Sequence, residues 1–246
     1  MIYHIVLFIY KLSVRVLSPF NSKAGSMFAG KKRWKIEPTT KPTFWMHCAS
    51  LGEFEQGRPV LEAFKKKYPE WDIVLTFFSP TGIEHTKSYR IADAITYLPW
   101  DSKNNALEFY DIVKPKLVCF VKYEFWYHLL SEGKRRGIPI ILISGIFRPN
   151  QPFFKWYGKF YTSILTNFTS ILVQNRASKL LLEEIEVQSE VCGDSRIDRV
   201  LEIGSNMPSF DFLEGVSKKI FIVGSGWPDD MEVVLPVINS KNDLVN

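Results

Sequence analysis

Residues 43–58 read TFWMHCASLGEFEQGR, and this stretch decides how the rest of the chain is interpreted. Apolar and β-branched residues from 43 to 49 predict a buried strand, which ends at the turn-forming sequence SLGE at 50–53. Apolar residues then recur at the spacing of one helix face, at Phe54, Leu61, Phe64 and Tyr68. A strand, a tight turn and a helix in succession predict the first unit of an open parallel sheet, whose turns line the edge where ligands bind.

Glu53 lies in the first turn of this predicted helix. Unpaired backbone N–H groups and the positive end of the helix dipole favour an ionised carboxylate there, as a general base requires. Acidic residues are also common in first turns because they cap helices, without any catalytic role. The residues alone leave both interpretations open.

The same alternation of strands and helices continues as far as residue 192. Further strands are predicted at 72–78, 94–98, 116–121, 138–144, 170–174 and 190–192. Helices are predicted at 83–90, in the segment ending near 113, and at 123–136, 153–165 and 176–185. This alternation predicts an α/β fold, a Rossmann-like parallel sheet covered by helices on both faces.

Changes in composition divide the chain into four parts. We expect an apolar helix and a basic linker at 1–35, the Rossmann-like domain at 36–204 and a polar linker at 205–218. A strand at 219–223, a turn at 224–228 and a helix at 229–239 then restart the pattern. One such unit cannot bury its own apolar faces, so 219–246 is interpreted as the opening of a second Rossmann-like domain that this chain does not complete.

The first twenty residues, MIYHIVLFIYKLSVRVLSPF, are the most apolar segment. Lys11 and Arg15 interrupt it before it reaches the roughly twenty apolar residues of a membrane-spanning helix. On a helix, the polar stripe consists of His4, Lys11, Arg15 and Ser18. Such a stripe is typical of a helix lying in the membrane surface, and a helix packed on the protein's own surface fits the pattern equally well.

The charge balance favours anionic partners. The chain has 31 Lys and Arg against 26 Asp and Glu, a net charge of +5, without the clustering of a nucleic-acid binder. The basic residues after the apolar segment are Lys31, Lys32, Arg33 and Lys35. They would be drawn to an anionic membrane, or would simply form a solvated linker. Three widely spaced cysteines without a CxxC pair indicate a reducing compartment and argue against a structural zinc site.

Four loops at predicted strand ends carry the residues suited to chemistry. The first is SLGE at 50–53, and the second is SPTG at 79–82, which could bind a phosphate or form an ordinary capped turn. The third, KYEFW at 122–126, contains Glu124, and the fourth, CGDSRID at 192–198, contains Arg196. At one sheet edge, two carboxylates and a cation could accept a proton and hold an anion.

Taken in order, these segments resemble the 3-deoxy-D-manno-octulosonic acid (Kdo) transferases of lipopolysaccharide synthesis, which have an apolar N-terminal anchor and two Rossmann-like domains of the GT-B type. The residues that match the family's opening motif are Trp45, His47, Ser50, Gly52, Glu53, Arg58 and Pro59. Two further family segments are matched by Pro80, Thr81 and Gly82, and by Tyr97, Pro99 and Asp101. The chain departs from the family at Lys122, where an acidic residue is usual, and at Arg196, where lysine is usual.

The resemblance implies inverting transfer of Kdo from CMP-Kdo to lipid IVA, the tetra-acylated lipid A precursor. Glu53 would be the proton acceptor, and Glu124 and Arg196 would stabilise the transition state. The implied acceptor-binding residues are Ser50, Gly52, Arg58, Thr81 and Gly82, and the implied donor-side residues are Gly224 and Ser225. We expect no cofactor besides the donor substrate, no metal, no nucleic-acid partner, and a location on the cytoplasmic face of the inner membrane.

Three other expectations accompany this resemblance. Donor recognition in the family lies largely in the C-terminal domain, so the isolated chain should be inactive or nearly so. Another GT-B glycosyltransferase, or a sugar-nucleotide epimerase, would use a different substrate and need no membrane-seeking helix. A non-catalytic membrane adaptor or fragment would be insensitive to the substitution Glu53→Ala.

Overall fold

The computed structural model describes residues 2–37, 39–205 and 220–240. Within them, the strands are β1 (Thr43–Cys48), β2 (Asp72–Phe77), β3 (Ala94–Tyr97), β4 (Pro115–Val121), β5 (Ile140–Gly145), β6 (Ser170–Val173) and β7 (Glu190–Val191). They form one parallel sheet in the order β3-β2-β1-β4-β5-β6-β7. The predicted Rossmann-like α/β sheet is confirmed.

Helices follow most of these strands. The α-helices are α1 (Ile2–Leu17), α2 (Ser22–Lys32), α3 (Leu51–Lys67), α4 (Pro80–Thr86), α5 (Lys103–Val113), α6 (Tyr127–Arg135), α7 (Lys159–Leu165), α8 (Arg176–Glu183), α9 (Arg196–Ser205) and α10 (Pro228–Ser240). A short 3-10 helix lies at Pro152–Phe154. The connections between parallel strands are therefore helical crossovers, as this kind of sheet requires.

The core lies on both faces of the sheet. Every residue of β1 is buried, and successive side chains point to opposite faces. Phe44 and Met46 belong to one apolar cluster, whereas Trp45 belongs to the other and packs on Phe109 and Phe120. A strand covered on both faces is nearly all apolar, which explains the continuous run in the sequence.

The predicted strand, turn and helix at 43–68 are also confirmed. β1 ends at Cys48, Ser50 is the N-cap residue, and α3 begins at Leu51. Gly57 lets α3 lie close to the sheet, because a Cβ at this position would come within 2.9 Å of Val121 and 3.0 Å of the Met46 sulfur.

Three predicted helices have different limits. The helix predicted at 123–136 begins only at Tyr127, because Lys122 adopts a φ of 69° and the next residues are not helical. The helix predicted at 153–165 is divided into the 3-10 helix and α7. At that break Gly158 is required, since a Cβ there would lie 2.3 Å from the Pro152 carbonyl oxygen. The helix predicted at 83–90 begins earlier because Pro80 fits the first helical turn.

Two helices occur where none was predicted. α2 occupies part of the expected linker, and its N-cap residue Asn21 accepts a hydrogen bond from Ala24 N at 3.0 Å. α9 begins at Arg196, inside the fourth loop. Residues 22–32, which lie in the expected helix and basic linker at 1–35, therefore form a second helix, and the boundary at residue 35 stays a prediction.

The chain divides into two units, residues 1–204 and 205–246. In the second unit, the helix predicted at 229–239 is present as α10. The strand predicted at 219–223 was wrong for residues 220–223, which pair with no other described strand. Lys219 and the linker at 206–218 lie outside the described residues. That this unit opens a second Rossmann-like domain stays a prediction.

Candidate functional site

The two predicted carboxylates follow neighbouring central strands. Glu53 comes after β1 and Glu124 after β4, and these strands pair directly. The strand order reverses between them, because β2 and β3 continue to one side while β5, β6 and β7 continue to the other. Such a switch point opens a crevice beyond the carboxyl ends of the strands, where open α/β sheets bind ligands.

Hydrogen bonds and charges connect all four predicted loops at this edge. The Ser79 N–H donates to the Ala49 carbonyl at 2.8 Å, which ties the second loop to the first. Gln56 of α3 donates to Asp194 at 2.7 Å, which ties the fourth loop to the same helix. The charges of Glu124 and Lys122 in the third loop act on Glu53. The structure thus brings the loops together.

Glu53 is a partly buried carboxylate with a raised pKa. Burial, and next the charge of Glu124, raise the pKa of Glu53 to about 7, against the opposing effects of the Ala49 N–H and Lys122. The expectation that the helix N-terminus would keep this group ionised was therefore wrong below about pH 7, since desolvation outweighs the dipole. A carboxylate that titrates near neutrality is well matched to accept a proton.

Glu53 also bonds to the backbone just before its helix. Its Oε2 accepts a hydrogen bond from the Ala49 N–H at 2.5 Å. Because Ala49 precedes the N-cap residue Ser50, this bond does not satisfy an N–H group of α3, and the capping and catalytic roles of Glu53 both stay predictions. Oε1 has no hydrogen-bond partner among the described residues, so it can meet a ligand.

Glu124 is buried and held by two donors. Its Oε2 accepts hydrogen bonds from the Trp126 indole at 2.6 Å and from His47 Nε2 at 3.0 Å. The other ring nitrogen of His47 lies 2.9 Å from Thr76 Oγ1, which in turn accepts the Trp45 indole N–H at 2.8 Å. The Trp-x-His pair of β1 thereby fixes the orientation of Glu124.

Lys31 acts on Glu124 through its charge, and no pattern in the sequence predicted this. Its side chain is only 3% exposed, and its Nζ donates to the Leu98 carbonyl at 2.8 Å. The ammonium group lies 3.9 Å from the ring centre of Phe78 and 4.9 Å from that of Trp100. Burial lowers the pKa of Lys31 to about 7, and the charge of Glu124 opposes this. The expected exposed basic linker is wrong at this position.

Arg196 is the first residue of α9 and is paired with Asp194. Its Nε and Nη2 donate to the Asp194 carboxylate at 2.9 and 2.5 Å, and its side chain is 55% exposed. Burial alone would raise the pKa of Asp194, but the hydrogen bonds from Arg196 keep it below the usual value. Nη1 has no acceptor among the described residues, so this cation can still meet an anion.

The predicted acceptor-binding residues fall into two groups. Ser50 and Gly52 both come just before Glu53. The Ser50 side chain makes no capping bond, and a Cβ at Gly52 would meet no atom within 4 Å. By contrast, Arg58 is already paired with Glu62 at 2.7 Å. Gly82 is required for packing, since a Cβ there would lie 1.9 Å from the Phe77 ring, and its neighbour Thr81 contacts Ser79 Oγ at 2.8 Å. A role in acceptor binding stays a prediction for all five.

Two other predictions concern the donor and metals. Gly224 and Ser225 form an exposed turn in the second unit, and their donor-side role stays a prediction. Across residues 2–37, 39–205 and 220–240, no group of three or more His, Cys, Asp or Glu side chains is arranged to hold a metal ion.

Helix α1 carries an exposed apolar surface. Val14 is buried and the Tyr3 hydroxyl donates to Asp101 at 2.5 Å, so a narrow stripe of the helix contacts the domain. The exposed apolar residues of α1 are Ile5, Val6, Phe8, Ile9, Tyr10, Leu12, Val16 and Leu17. None of the described helices combines the length and apolar character needed to cross a bilayer.

Comparison with known proteins gives a consistent result. Residues 25–199 match the family model described as 3-deoxy-D-manno-octulosonic-acid transferase (kdotransferase). Among curated proteins, the chain is similar to 3-deoxy-D-manno-octulosonic acid transferases of Chlamydophila psittaci (28% identity, 82% of this chain and 48% of the relative) and of Rickettsia typhi (26% identity, 81% and 44%). The chain spans about half the length of the curated relatives it matches.

Solved structures support the fold. UDP-GlcNAc 2-epimerase from Neisseria meningitidis is similar with a TM-score of 0.52 at 14% identity, over 67% of this chain and 50% of that chain. UDP-N-acetylglucosamine 2-epimerase from Rickettsia bellii also has a TM-score of 0.52 at 14% identity, over 71% and 50%. At such low identity this likeness concerns the fold alone.

Proposed function

Since the chain belongs to the 3-deoxy-D-manno-octulosonic-acid transferase family, we propose that its protein transfers Kdo from CMP-Kdo to lipid IVA in lipopolysaccharide synthesis. The observation that carries this proposal is the pair of carboxylates at the switch point, one titrating near neutrality and one rigidly held. The donor, the acceptor and the inverting course come from the family resemblance.

Glu53 is the proton acceptor in this proposal. The acceptor hydroxyl gives its proton to Glu53 as its oxygen forms a bond to the anomeric carbon of Kdo. The bond from that carbon to the phosphate oxygen breaks on the opposite side, and its electron pair leaves with CMP. Because the pKa of Glu53 is about 7, a useful fraction is ionised at neutral pH and the group still has affinity for the proton.

Glu124 and Arg196 act on opposite charges. The buried Glu124 carboxylate faces positive charge that develops on the sugar, and it needs no reorganisation because His47 and Trp126 already hold it. Arg196 faces the phosphate that leaves. Arginine has a planar fork of donors where the family usually has a lysine, and Asp194 already accepts from Nε and Nη2, so Nη1 is the group that would meet the phosphate.

We also propose that the protein lies on the cytoplasmic face of the inner membrane through α1. The exposed apolar residues of this helix, together with the net charge of +5, favour an anionic bilayer surface. An acceptor with acyl chains is then presented at the same surface.

The test is Kdo transfer from CMP-Kdo to purified lipid IVA, followed by mass spectrometry. It compares the 246-residue chain with the same chain extended to the length of its curated relatives. We expect transfer by the extended protein, and little or none by the chain alone. Glu53→Gln in the extended protein should reduce transfer by about 100-fold or more, the usual scale of general-base catalysis. Glu55→Gln on the same helix is the control.

Two outcomes would reject this proposal. Transfer by Glu53→Gln equal to that of the wild type would remove Glu53 from the mechanism. An extended protein that epimerises or transfers a different nucleotide sugar, and leaves lipid IVA unchanged, would support the alternative GT-B or epimerase function.

A further inference from the structure

A cavity of about 410 Å³ lies beside the third loop and contains none of the proposed catalytic residues. Tyr3 of α1 and Tyr123 and Phe125 of the third loop form part of its wall. Phe153 and Ile164, from the 3-10 helix and α7, complete it. Its volume falls within the usual range for small-ligand sites.

The inner wall of the cavity is formed by apolar side chains that pack on one another. Phe153 is 6% exposed and Ile164 is 1% exposed, so they are its most buried lining residues. The rings of Phe125 and Phe153 meet edge to face with centres 4.9 Å apart. None of these three side chains has a hydrogen-bonding group, so the inner part of the cavity favours a hydrocarbon over a sugar ring.

Arg148 places a cation at the rim of this cavity. Its guanidinium is exposed and has no hydrogen-bond or ion-pair partner in the described part of the chain. Its backbone is fixed, because the Arg148 N–H donates to Gln151 Oε1 at 2.9 Å and the Gln151 N–H donates to the Arg148 carbonyl at 3.0 Å. A cation carried by an anchored backbone at the rim of an apolar cavity matches a ligand with an anionic head and an apolar tail.

The cavity lies between the catalytic loop and the apolar helix. Tyr123 immediately precedes Glu124, and Tyr3 belongs to α1. The Tyr3 hydroxyl accepts the Tyr127 N–H at 3.2 Å and donates to Asp101, so this wall is anchored to the domain.

We propose that this cavity receives one acyl chain of the acceptor lipid while Arg148 binds a phosphate group of the same molecule. The identity of the lipid rests on the proposed function, whereas the site itself rests on the cavity and the unpaired cation. The site holds the acceptor so that its sugar hydroxyl faces the catalytic edge.

Binding of dodecyl phosphate, below its critical micelle concentration, tests the site on the 246-residue chain. Two matched ligands serve as controls. Dodecyl maltoside lacks the anionic head, and inorganic phosphate lacks the apolar tail. We expect dodecyl phosphate to bind at least about tenfold more tightly than either, because only it satisfies both parts of the site. Arg148→Gln should abolish this preference. Lys116→Gln, which removes one positive charge at the start of β4, should preserve it.

Photo-crosslinking locates the tail. Dodecyl phosphate with a diazirine at the end of its chain should label the segment 153–164, as mapped by mass spectrometry of peptides. Labelling confined to α1, or equal binding of dodecyl maltoside, would overturn the proposal. Unchanged binding by Arg148→Gln would do the same.

Displacement by lipid IVA separates this inference from the proposed function. Lipid IVA should displace dodecyl phosphate from the wild type. With Arg148→Gln, the lipid IVA concentration needed for half displacement should rise by at least about tenfold. If the extended protein transfers Kdo but lipid IVA does not compete, the cavity is not the acyl site. If lipid IVA competes through Arg148 and the extended protein makes no Kdo product, the inference stands and the proposed reaction is wrong.

Discussion

At the scale of single residues, the site depends on two ionisable groups that are held away from water. The pKa of Glu53 is raised to about 7 and that of Lys31 is lowered to about 7, in each case chiefly by burial. Burial disfavours the charged form of either group, so each shift has a cost in folding stability at the pH where the unfolded chain carries the charge. Stability measurements can therefore detect the electrostatics of the site without substrate.

Glu53→Gln should stabilise the chain at high pH. Between the ordinary carboxyl pKa and about 7, the folded protein holds a proton that the unfolded chain releases, so the stability of the wild type falls as the pH rises. Gln cannot ionise and still accepts the Ala49 N–H. Urea denaturation should show the variant to be more stable than the wild type at about pH 8, with the difference disappearing near about pH 4. A difference independent of pH would mean that Glu53 is not desolvated.

Lys31→Met should give the opposite dependence on pH. Below about pH 7 the wild type holds a charged ammonium group in a buried site, and unfolding relieves that cost. Met fills a similar volume without charge. Urea denaturation should therefore show the variant to be more stable at about pH 6, with the advantage shrinking towards about pH 10. Lys35→Met, which removes the exposed pair with Glu108, should show little dependence on pH. A destabilised Lys31→Met at about pH 6 would contradict this account.

Sequence patterns could place Glu53 and Glu124 but not Lys31. The carboxylates follow buried apolar strands, and in a parallel sheet that position alone brings them to one edge. Lys31 is buried because α2 packs against Phe78 and Trp100, which are distant in the sequence. The sequence of α2, SKAGSMFAGKK, has too few apolar residues to predict the helix or the face that is buried.

At the scale of elements, the third loop is shaped by one unusual backbone conformation. Lys122 has a φ of 69°, and the segment up to Trp126 is not helical. This delays the start of α6 and lets Trp126 donate to Glu124 instead of lying inside a helix. Apolar periodicity could not reveal this, because the helix pattern of α6 extends without interruption to residue 123.

Lys122→Gly and Lys114→Gly form a matched pair, because both lysines have positive φ. Glycine tolerates this conformation, so each variant should gain up to about 1 kcal/mol in unfolding free energy. Of these two lysines, Lys122 is the one that lowers the pKa of Glu53. Carbon-13 NMR titration should therefore show a higher pKa for Glu53 in Lys122→Gly and an unchanged pKa in Lys114→Gly. Equal pKa values in both variants would place Lys122 too far from Glu53 to act on it.

A second prediction at the scale of elements concerns the binding of helix α1 to membranes. Phe8 is 66% exposed and Leu12 is 46% exposed, and both should enter the lipid if α1 lies in the membrane surface. Phe8→Ser should weaken co-sedimentation with anionic liposomes by about tenfold, since burial of such a side chain is worth about 1.5–3 kcal/mol. Leu180→Ser removes an exposed apolar residue of α8 and is the control. Equal liposome binding by the two variants would favour the alternative, in which α1 packs on the protein's own surface and does not enter the lipid.

At the scale of the whole molecule, the order of the strands decides where the chemistry lies. β1 and β4 are adjacent, so the loops that follow them meet, although about seventy residues separate Glu53 from Glu124 in the sequence. Alternating strands and helices predicted the parallel sheet, because each crossover requires a helix. The strand expected at 219–223 was wrong for residues 220–223, where no strand pairing is formed, because a strand without a partner is not stable by itself.

The whole-molecule prediction concerns which substrate this chain recognises. The residues assigned to the acceptor, at 50–82 and at the cavity beside Arg148, lie in the first unit. Gly224 and Ser225 of the second unit are assigned to the donor, and Arg196 is assigned to its leaving phosphate. Calorimetric titration of the 246-residue chain should therefore detect lipid IVA in detergent and little or no binding of CMP-Kdo or CMP. Arg148→Gln should weaken the binding of lipid IVA by at least about tenfold and leave the binding of CMP unchanged. Tight binding of CMP by this chain would show that the donor site lies within these residues, and the division of the two substrates between two halves would be wrong.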